Sequence, residues 1–264
     1  MKQYFDKKNN QFVYIGDSAT DMFWDNHWNV DNVRVAATIV PNSWVSRISK
    51  LYLKHGDKVL EGGCGLAKHV YTLHNNGFNV VGIDYARETV KKLNISVPEL
   101  NIQYGDVRSL SFPPNEFDGY WSFGVIEHFW HGYGEISREM YRVIKPNGYL
   151  FLTFPSISPF RLWLAKKDKY KNIEKSIQEP NGFYQFLLNT DTVIENFQNL
   201  GFELVNQKKL DGIKGLKGSI ETKFFDNFYN NNSLIPRLIR KILGPVLVKF
   251  GIYHGTLLIF KKHR

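Results

Sequence analysis

One cysteine in 264 residues, Cys64, leaves no partner for a disulfide and no set of thiolates for a zinc or iron-sulfur centre. Set among apolar residues and glycines, it reads as a small buried filler. Long apolar runs are also missing: no stretch approaches the ~18 to 20 residues that a spanning helix needs. The opening Met1 to Asn10 has no apolar signal core. The expectation is a cytoplasmic protein, with peripheral attachment to a membrane left open. Internal repeats and low-complexity tracts are absent beyond the short Asn230 to Asn232 run.

Two phosphate-binding signatures fail. A dinucleotide turn needs Gly-x-Gly-x-x-Gly, yet after Gly63 and Gly65 the third position is Lys68. No Gly-Lys-Ser/Thr follows either, so a P-loop is excluded.

What is present is a large apolar fraction, 43%, with 15% aromatics, enough to bury one sizeable core. The net charge of +9 is concentrated. Residues 1–206 carry 22 Lys and Arg against 22 Asp and Glu, whereas residues 207–264 carry 12 against 3. A neutral body with a basic tail points to an anionic partner or surface met by the tail.

The centre of the chain carries the chemistry. Lys58-Val-Leu-Glu-Gly-Gly-Cys-Gly-Leu-Ala67 is an apolar run ending in an acid and a glycine turn. Val80-Val-Gly-Ile-Asp84 follows at the distance of a helix plus a strand. Together they describe one βαβ unit with an adenosine-type ligand at its carboxyl edge. Further strands are expected at Ile102 to Asp106, Phe117 to Phe123, Tyr149 to Pro155, Phe202 to Gln207 and Thr256 to Lys262. Helices are expected after Leu66, after Ala86, at Glu135 to Ile144 and at Thr190 to Leu200. The expected fold class is α/β: a Rossmann-like, seven-stranded, doubly wound sheet with helices on both faces.

Four segments resemble, in order, the motifs of class I S-adenosylmethionine (SAM) dependent methyltransferases, close to the small-molecule group that serves quinone-pathway and sugar acceptors. They are Val59-Leu-Glu-Gly-Gly-Cys-Gly65, with Ala67 where the family has a last glycine; Ile102-Gln-Tyr-Gly-Asp-Val107; Phe117 through the Glu127-His128 turn; and Met140 through Pro146-Asn-Gly148 to Thr153. The resemblance implies SAM as cofactor, held by Glu61, Gly63, Gly65, Asp84, Tyr85, Asp106, Val107 and Ser122. In it Asp84 meets the ribose hydroxyls, and Asp106 meets the adenine amino group. It also implies a single methyltransferase domain over 1–264, with an amino-terminal cap over 1–55 and insertions at 157–186 and 212–251 above the acceptor site.

Methyl transfer to oxygen needs a base, and His128, beside Glu127, is the first candidate; His131 is a second. The alternative for Glu127-His128 is to hold their turn by hydrogen bonds. Relatives with Glu-x-x-Glu-His there can bind a divalent metal, but Gly124 replaces the first glutamate, so no metal is expected. Asn/Asp-Pro-Pro-Tyr/Phe, typical of enzymes that methylate DNA amino groups, is absent after the fourth strand. Tyr14, Phe23, Trp24, Trp28, Tyr184 and Phe186 either form an aromatic wall over the acceptor or pack as core.

The expected acceptor is a small molecule, a hydroxyl of a sugar, lipid-linked or quinone-like precursor. Nucleic acid is disfavoured by the neutral body, leaving an RNA methyltransferase or a non-catalytic SAM-fold protein as alternatives. In 233–250, Ile235, Leu238, Ile239, Ile242 and Val246 recur at helical spacing, while Arg237, Arg240 and Lys241 fall mostly on another face. Such a helix lies on an anionic membrane surface or caps the site. Pro245 is expected to kink or end it.

Overall fold

The computed structural model describes residues 1–30, 32–38, 44–173, 178–220, 222–231 and 233–263. The cap and insertion ranges therefore include positions outside the described residues (31, 39–43, 174–177, 221 and 232).

Seven strands form the main sheet in the order β10-β11-β7-β6-β3-β4-β5. Here β3 is Lys58–Gly62, β4 Asn79–Asp84, β5 Asn101–Tyr104, β6 Phe117–Phe123, β7 Ile144–Pro155, β10 Phe202–Leu210 and β11 Gly255–Lys262. All pairings are parallel except those of β11, which runs antiparallel to both β7 and β10. The expected seven-stranded α/β sheet is thus the observed one. Parallel strands need crossovers, supplied by α4 (Lys68–His74), α5 (Arg87–Ser96) and α6 (Gly134–Val143). Farther along, α8 (Thr190–Asn199) starts where the Asn189 side chain accepts from the N–H groups of Asp191 and Thr192.

Successive residues on a strand face opposite ways, and the core shows this. Leu60, Tyr120, Leu150, Leu152 and Phe260 pack on one face with Met140 of α6 and Phe197 of α8. Val59, Trp121, Phe151 and Ile259 pack on the other with Val70, Leu73 and Leu93. Also on that face is Val45 of α3 (Trp44–Tyr52). Trp121 stacks between Phe123 at 4.7 Å and Phe151 at 4.4 Å, and its indole N–H donates to Ser49 at 3.0 Å. That bond satisfies the one polar atom of a fully buried ring.

A second sheet, in the order β8-β1-β2-β9, was not foreseen from the sequence. Its strands are β1 (Lys2–Asp6), β2 (Gln11–Ile15), β8 (Lys171–Asn172) and β9 (Phe183–Leu187). The β1-β2 turn is built by Asp6, which accepts from Lys8 N–H at 3.0 Å and Asn9 N–H at 3.1 Å, with Asn10 at φ 50°. The cap and the first insertion, read separately in the sequence, therefore share one sheet. Between the sheets lie α1 (Asp21–His27) and α2 (Val33–Thr38) in the chain. Asp25 anchors α1 by accepting from Thr89 N–H at 2.8 Å on the first turn of α5.

Beyond β7, α7 (Pro159–Lys166) is capped by Ser158. The last insertion folds as α9 (Gly212–Ser219), α10 (Lys223–Asn230) and α11 (Leu234–Lys249). Helix α11 continues through Pro245, so of the two outcomes expected there, a kink or an end, the helix does not end. Pro245 and Lys241 are both exposed, so the carbonyl that loses its donor, four residues back, meets water.

Candidate active site

The carboxyl ends of β3 to β7 open into one cleft of about 1320 Å³. That is where a doubly wound sheet offers ligands a crevice between diverging loops. At one side Gly63, Asp84, Tyr85, Asp106 and Val107 line it, as expected. Asp84 is buried and its two oxygens hold the glycine loop to its own turn: Gly65 N–H donates to Oδ2 at 2.7 Å and Ala86 N–H to Oδ1 at 2.9 Å. Burial raises its carboxyl above the usual range, opposed by these backbone bonds. Asp106 is gripped by Arg108, whose guanidinium donates to Oδ2 at 2.6 Å. Burial works to raise that carboxyl, but the Arg108 bonds outweigh it and hold it below its ordinary value.

Three expected cofactor residues stand behind the lining. Glu61 and Ser122 are buried inside the sheet, each with a side-chain oxygen that lacks a partner. Burial pushes the Glu61 carboxyl far up, against a weaker backbone bond and reinforced by Asp84. Gly65 is covered by the Trp28 indole, which a Cβ there would meet at 3.0 Å. Ala67 takes a left-handed φ of 57°, the conformation for which a glycine is better suited.

Gly63 is at φ +76°, and a Cβ would meet Val125 Cγ2 at 2.5 Å. Gly63→Ala is expected to cost about 1 to 3 kcal/mol through strain and overpacking. A thermal melt superimposable on the parent's would show that the loop can yield instead.

Across the cleft, Glu127 and His128 belong to a single 3-10 turn, Ile126–His128, directly after β6. The His128 Nδ1 lies 2.6 Å from the Tyr184 carbonyl oxygen of β9, which fixes it as the protonated nitrogen and leaves Nε2 the basic one. Burial lowers the ring to about 4, against weaker opposing bonds to the Tyr184 and Gly124 carbonyls. Burial also raises Glu127 to about 8, with Lys214 pulling weakly the other way. Both groups are therefore neutral near pH 7. At 3.9 Å from Nε2, Glu127 Oε1 makes neither a hydrogen bond nor an ion pair of consequence, and its Oε2 is buried without a partner.

The aromatic candidates divide. Trp24, Trp28 and Tyr184 line the cleft, Trp24 edge-on to His128 at 5.1 Å, while Phe23 backs Tyr184 at 5.7 Å. Tyr14 and Phe186 are core, Tyr14 receiving a bond from the buried Arg161 at 2.7 Å and Phe186 stacked on Trp130 at 5.3 Å. His131 also lines the cleft.

Sequence reasoning missed Lys214 and His254, brought in by α9 and by the residue that precedes β11. Burial lowers the Lys214 ammonium, although Asp211 and Glu127 oppose it. His254 is pushed well below its ordinary value by burial, then by Lys214 and Arg161. No spacing in the sequence links either residue to the Glu127-His128 turn. Arg108 was legible in principle, two residues after an acid at a strand end. Among the described residues no group of three or more His, Cys, Asp or Glu is arranged to hold a metal.

Residues 60–152 match the family described as "Methyltransferase domain". A Mycolicibacterium smegmatis protein named "Probable S-adenosylmethionine-dependent methyltransferase" is 32% identical over 44% of this chain and 46% of its own length. The rice "2-methyl-6-phytyl-1,4-hydroquinone methyltransferase 1, chloroplastic" (Oryza sativa subsp. japonica) is 30% identical over 62% of this chain and 46% of its own. This chain thus spans under half the length of these two curated relatives. Among solved structures, phosphoethanolamine N-methyltransferase 2 of Haemonchus contortus, in complex with SAM, aligns with a TM-score of 0.53 at 17% identity. The alignment covers 93% of this chain and 58% of that one, and it shows the shared fold.

Proposed function

We propose, from the premise that this chain belongs to the class I SAM-dependent methyltransferases, that it transfers the methyl group of SAM to a hydroxyl of a small apolar acceptor, quinone-like or lipid-linked. The observation that carries the reading is that one cleft is lined both by Asp84 and Asp106, the two strand-end acids, and by the Glu127-His128 pair. The family match and the SAM-bound structural neighbour support the cofactor; the rice relative's hydroquinone name supports a quinone-like acceptor.

The residues fit such a cofactor. Gly63 lines the cleft at a left-handed turn of the loop, Asp84 and Asp106 offer acceptors for ribose and adenine donors, and Tyr85 and Val107 supply flat and apolar contact. When bound, SAM supplies an electrophilic methyl group on a positively charged sulfur. The protein's part is alignment, exclusion of water and removal of one proton. His128 Nε2 takes the hydroxyl proton as the acceptor oxygen bonds to the methyl carbon and the carbon-sulfur pair returns to sulfur. The Tyr184 carbonyl, accepting from Nδ1–H, steadies the imidazolium that forms. Neutral Glu127 adds no anion that would hold the proton on the ring between turnovers. Trp24, Trp28 and Tyr184 wall the acceptor and exclude water.

Titration with SAM by calorimetry, followed by a screen of quinols, lipid-linked hydroxyls, sugars and amines for release of S-adenosylhomocysteine, tests the reading. Saturable SAM binding with turnover of a hydroxyl acceptor is expected, and turnover of amines alone would displace the base role. Chelator is expected to leave the rate unchanged; loss of activity restored by magnesium would show that a metal takes part.

A further inference from the structure

We propose that α11 is an interfacial docking helix for an anionic lipid bilayer, so that the acceptor reaches the cleft from the membrane. This deepens the methyltransferase reading, on which its second half rests.

The inner side of α11 is settled by contacts. Gly244 is buried against α9, where a Cβ on Gly212 would run into the Gly244 carbonyl and meet Leu247 Cβ at 2.8 Å. Arg240 also turns inward, donating to the Phe228 and Asn231 carbonyls at 2.7 Å each. The outer side is apolar and open. Ile235, Leu238, Ile239, Ile242, Val246 and Phe250 follow one helical arc, with Ile235 70%, Ile242 71% and Phe250 77% exposed. Lys241 borders this arc, Lys249 falls within it and Arg237 stands on the opposite side, and no Asp or Glu occurs within Leu234–Lys249. At the carboxyl end, α7 abuts through Phe160 N–H donating to the Gly251 carbonyl at 3.2 Å, and it carries Trp163, 54% exposed.

An exposed apolar stripe of this length is costly in water and marks an interaction surface. Charge decides which. A two-fold contact between copies would bring Lys241 and Lys249 of both chains together with no acid on the helix to pair them. An RNA would meet the cations but leave the aliphatic arc exposed. A bilayer with anionic headgroups takes both, the arc entering ~5 to 10 Å into the headgroup and acyl boundary and the cations meeting phosphates. No helix among the described residues is long and apolar enough to cross a membrane, so the contact lies in the interface plane. The same docking brings the cleft within one helix of the lipid surface, because α9, on which α11 rests, carries Lys214 into it.

Flotation of the full chain with phosphatidylcholine vesicles, alone or mixed in equal parts with phosphatidylglycerol, tests this. Binding to the mixed vesicles and much less to the neutral ones is expected. Ile242→Asp should abolish it, and Lys241→Gln with Lys249→Gln should weaken it at low salt by roughly fivefold per residue. Unchanged circular dichroism and SAM affinity keep both variants interpretable. No flotation of the parent at low salt overturns the proposal, as does flotation untouched by either variant. Two further results would give the surface to another partner and overturn it equally: a dimer by light scattering that Ile242→Asp dissolves, or RNA binding in place of vesicle binding. Failure here is separable from failure of the methyltransferase reading: a chain that binds SAM but does not float loses only the lipid surface, and one that floats without binding SAM loses only the cofactor.

Discussion

Asp84→Ala should weaken SAM binding by about 2 to 4 kcal/mol, roughly 30-fold to 1,000-fold, the value of losing two charge-assisted bonds. The side chain stands at the end of β4, and its oxygens also tie Gly65 to Ala86 across the glycine loop. The substitution therefore removes both a ligand acceptor and the clasp that shapes the turn. Asp84→Asn separates these, since an amide oxygen still accepts one backbone bond while the charge is gone. An intermediate affinity is expected for it by calorimetry. Equal affinity for Asp84→Ala and the parent would mean that the carboxyl edge of β4 does not meet the ribose.

His128→Ala is expected to lower kcat by ~100-fold or more while SAM affinity stays close to the parent's. Glutamine is the informative companion, because it can still donate to the Tyr184 carbonyl but cannot act as a base. Full activity in His128→Gln would assign the residue to holding the turn. The pH dependence adds a second readout. With the ring lowered to about 4, the parent's rate should not fall as pH drops through the ordinary histidine value of 6.5. Stability should respond there instead. The fold favours the neutral ring, so its contribution is complete above pH 6.5 and is lost as pH falls toward about 4. Glu127 has the opposite sign: folding favours its protonated form, so its contribution is complete below 4.5 and is lost as pH rises through about 8. Melting curves across this range should show His128→Gln removing part of the acid-side slope and leaving the alkaline side unchanged.

What was legible in the sequence was what local pattern encodes. Apolar runs ending in Asp84 and in Tyr104-Gly-Asp106 announce strands of a doubly wound sheet, and strand-end acids fall at its ligand edge whatever the rest of the chain does. The Glu127-His128 turn was visible for the same reason. Glu61 and Ser122, which the sequence places beside the site, have side chains buried in the sheet, a burial that the local pattern does not announce. Long-range pairing hid the rest. Phe12 opposite Leu187 and Phe183 opposite Ile15 are sheet partners whose segments carry no mutual signature, and Lys214 reaches the cleft only because a helix near the end of the chain folds over it.

The small sheet bears on the order in which the molecule can be built. Strand β2 pairs with β9 across about 170 residues of sequence, and β9 supplies the carbonyl that fixes His128. During synthesis the β1-β2 hairpin emerges before β9 and can close its own turn, but the β2 edge stays unpaired until Phe183–Leu187 has left the ribosome. By then β3 to β7 are already out, so the nucleoside edge can assemble while the histidine ring is still unanchored. On the proposed function, base and methyl donor sites thus mature in sequence, and a nascent chain would become competent to hold its cofactor before it could turn over.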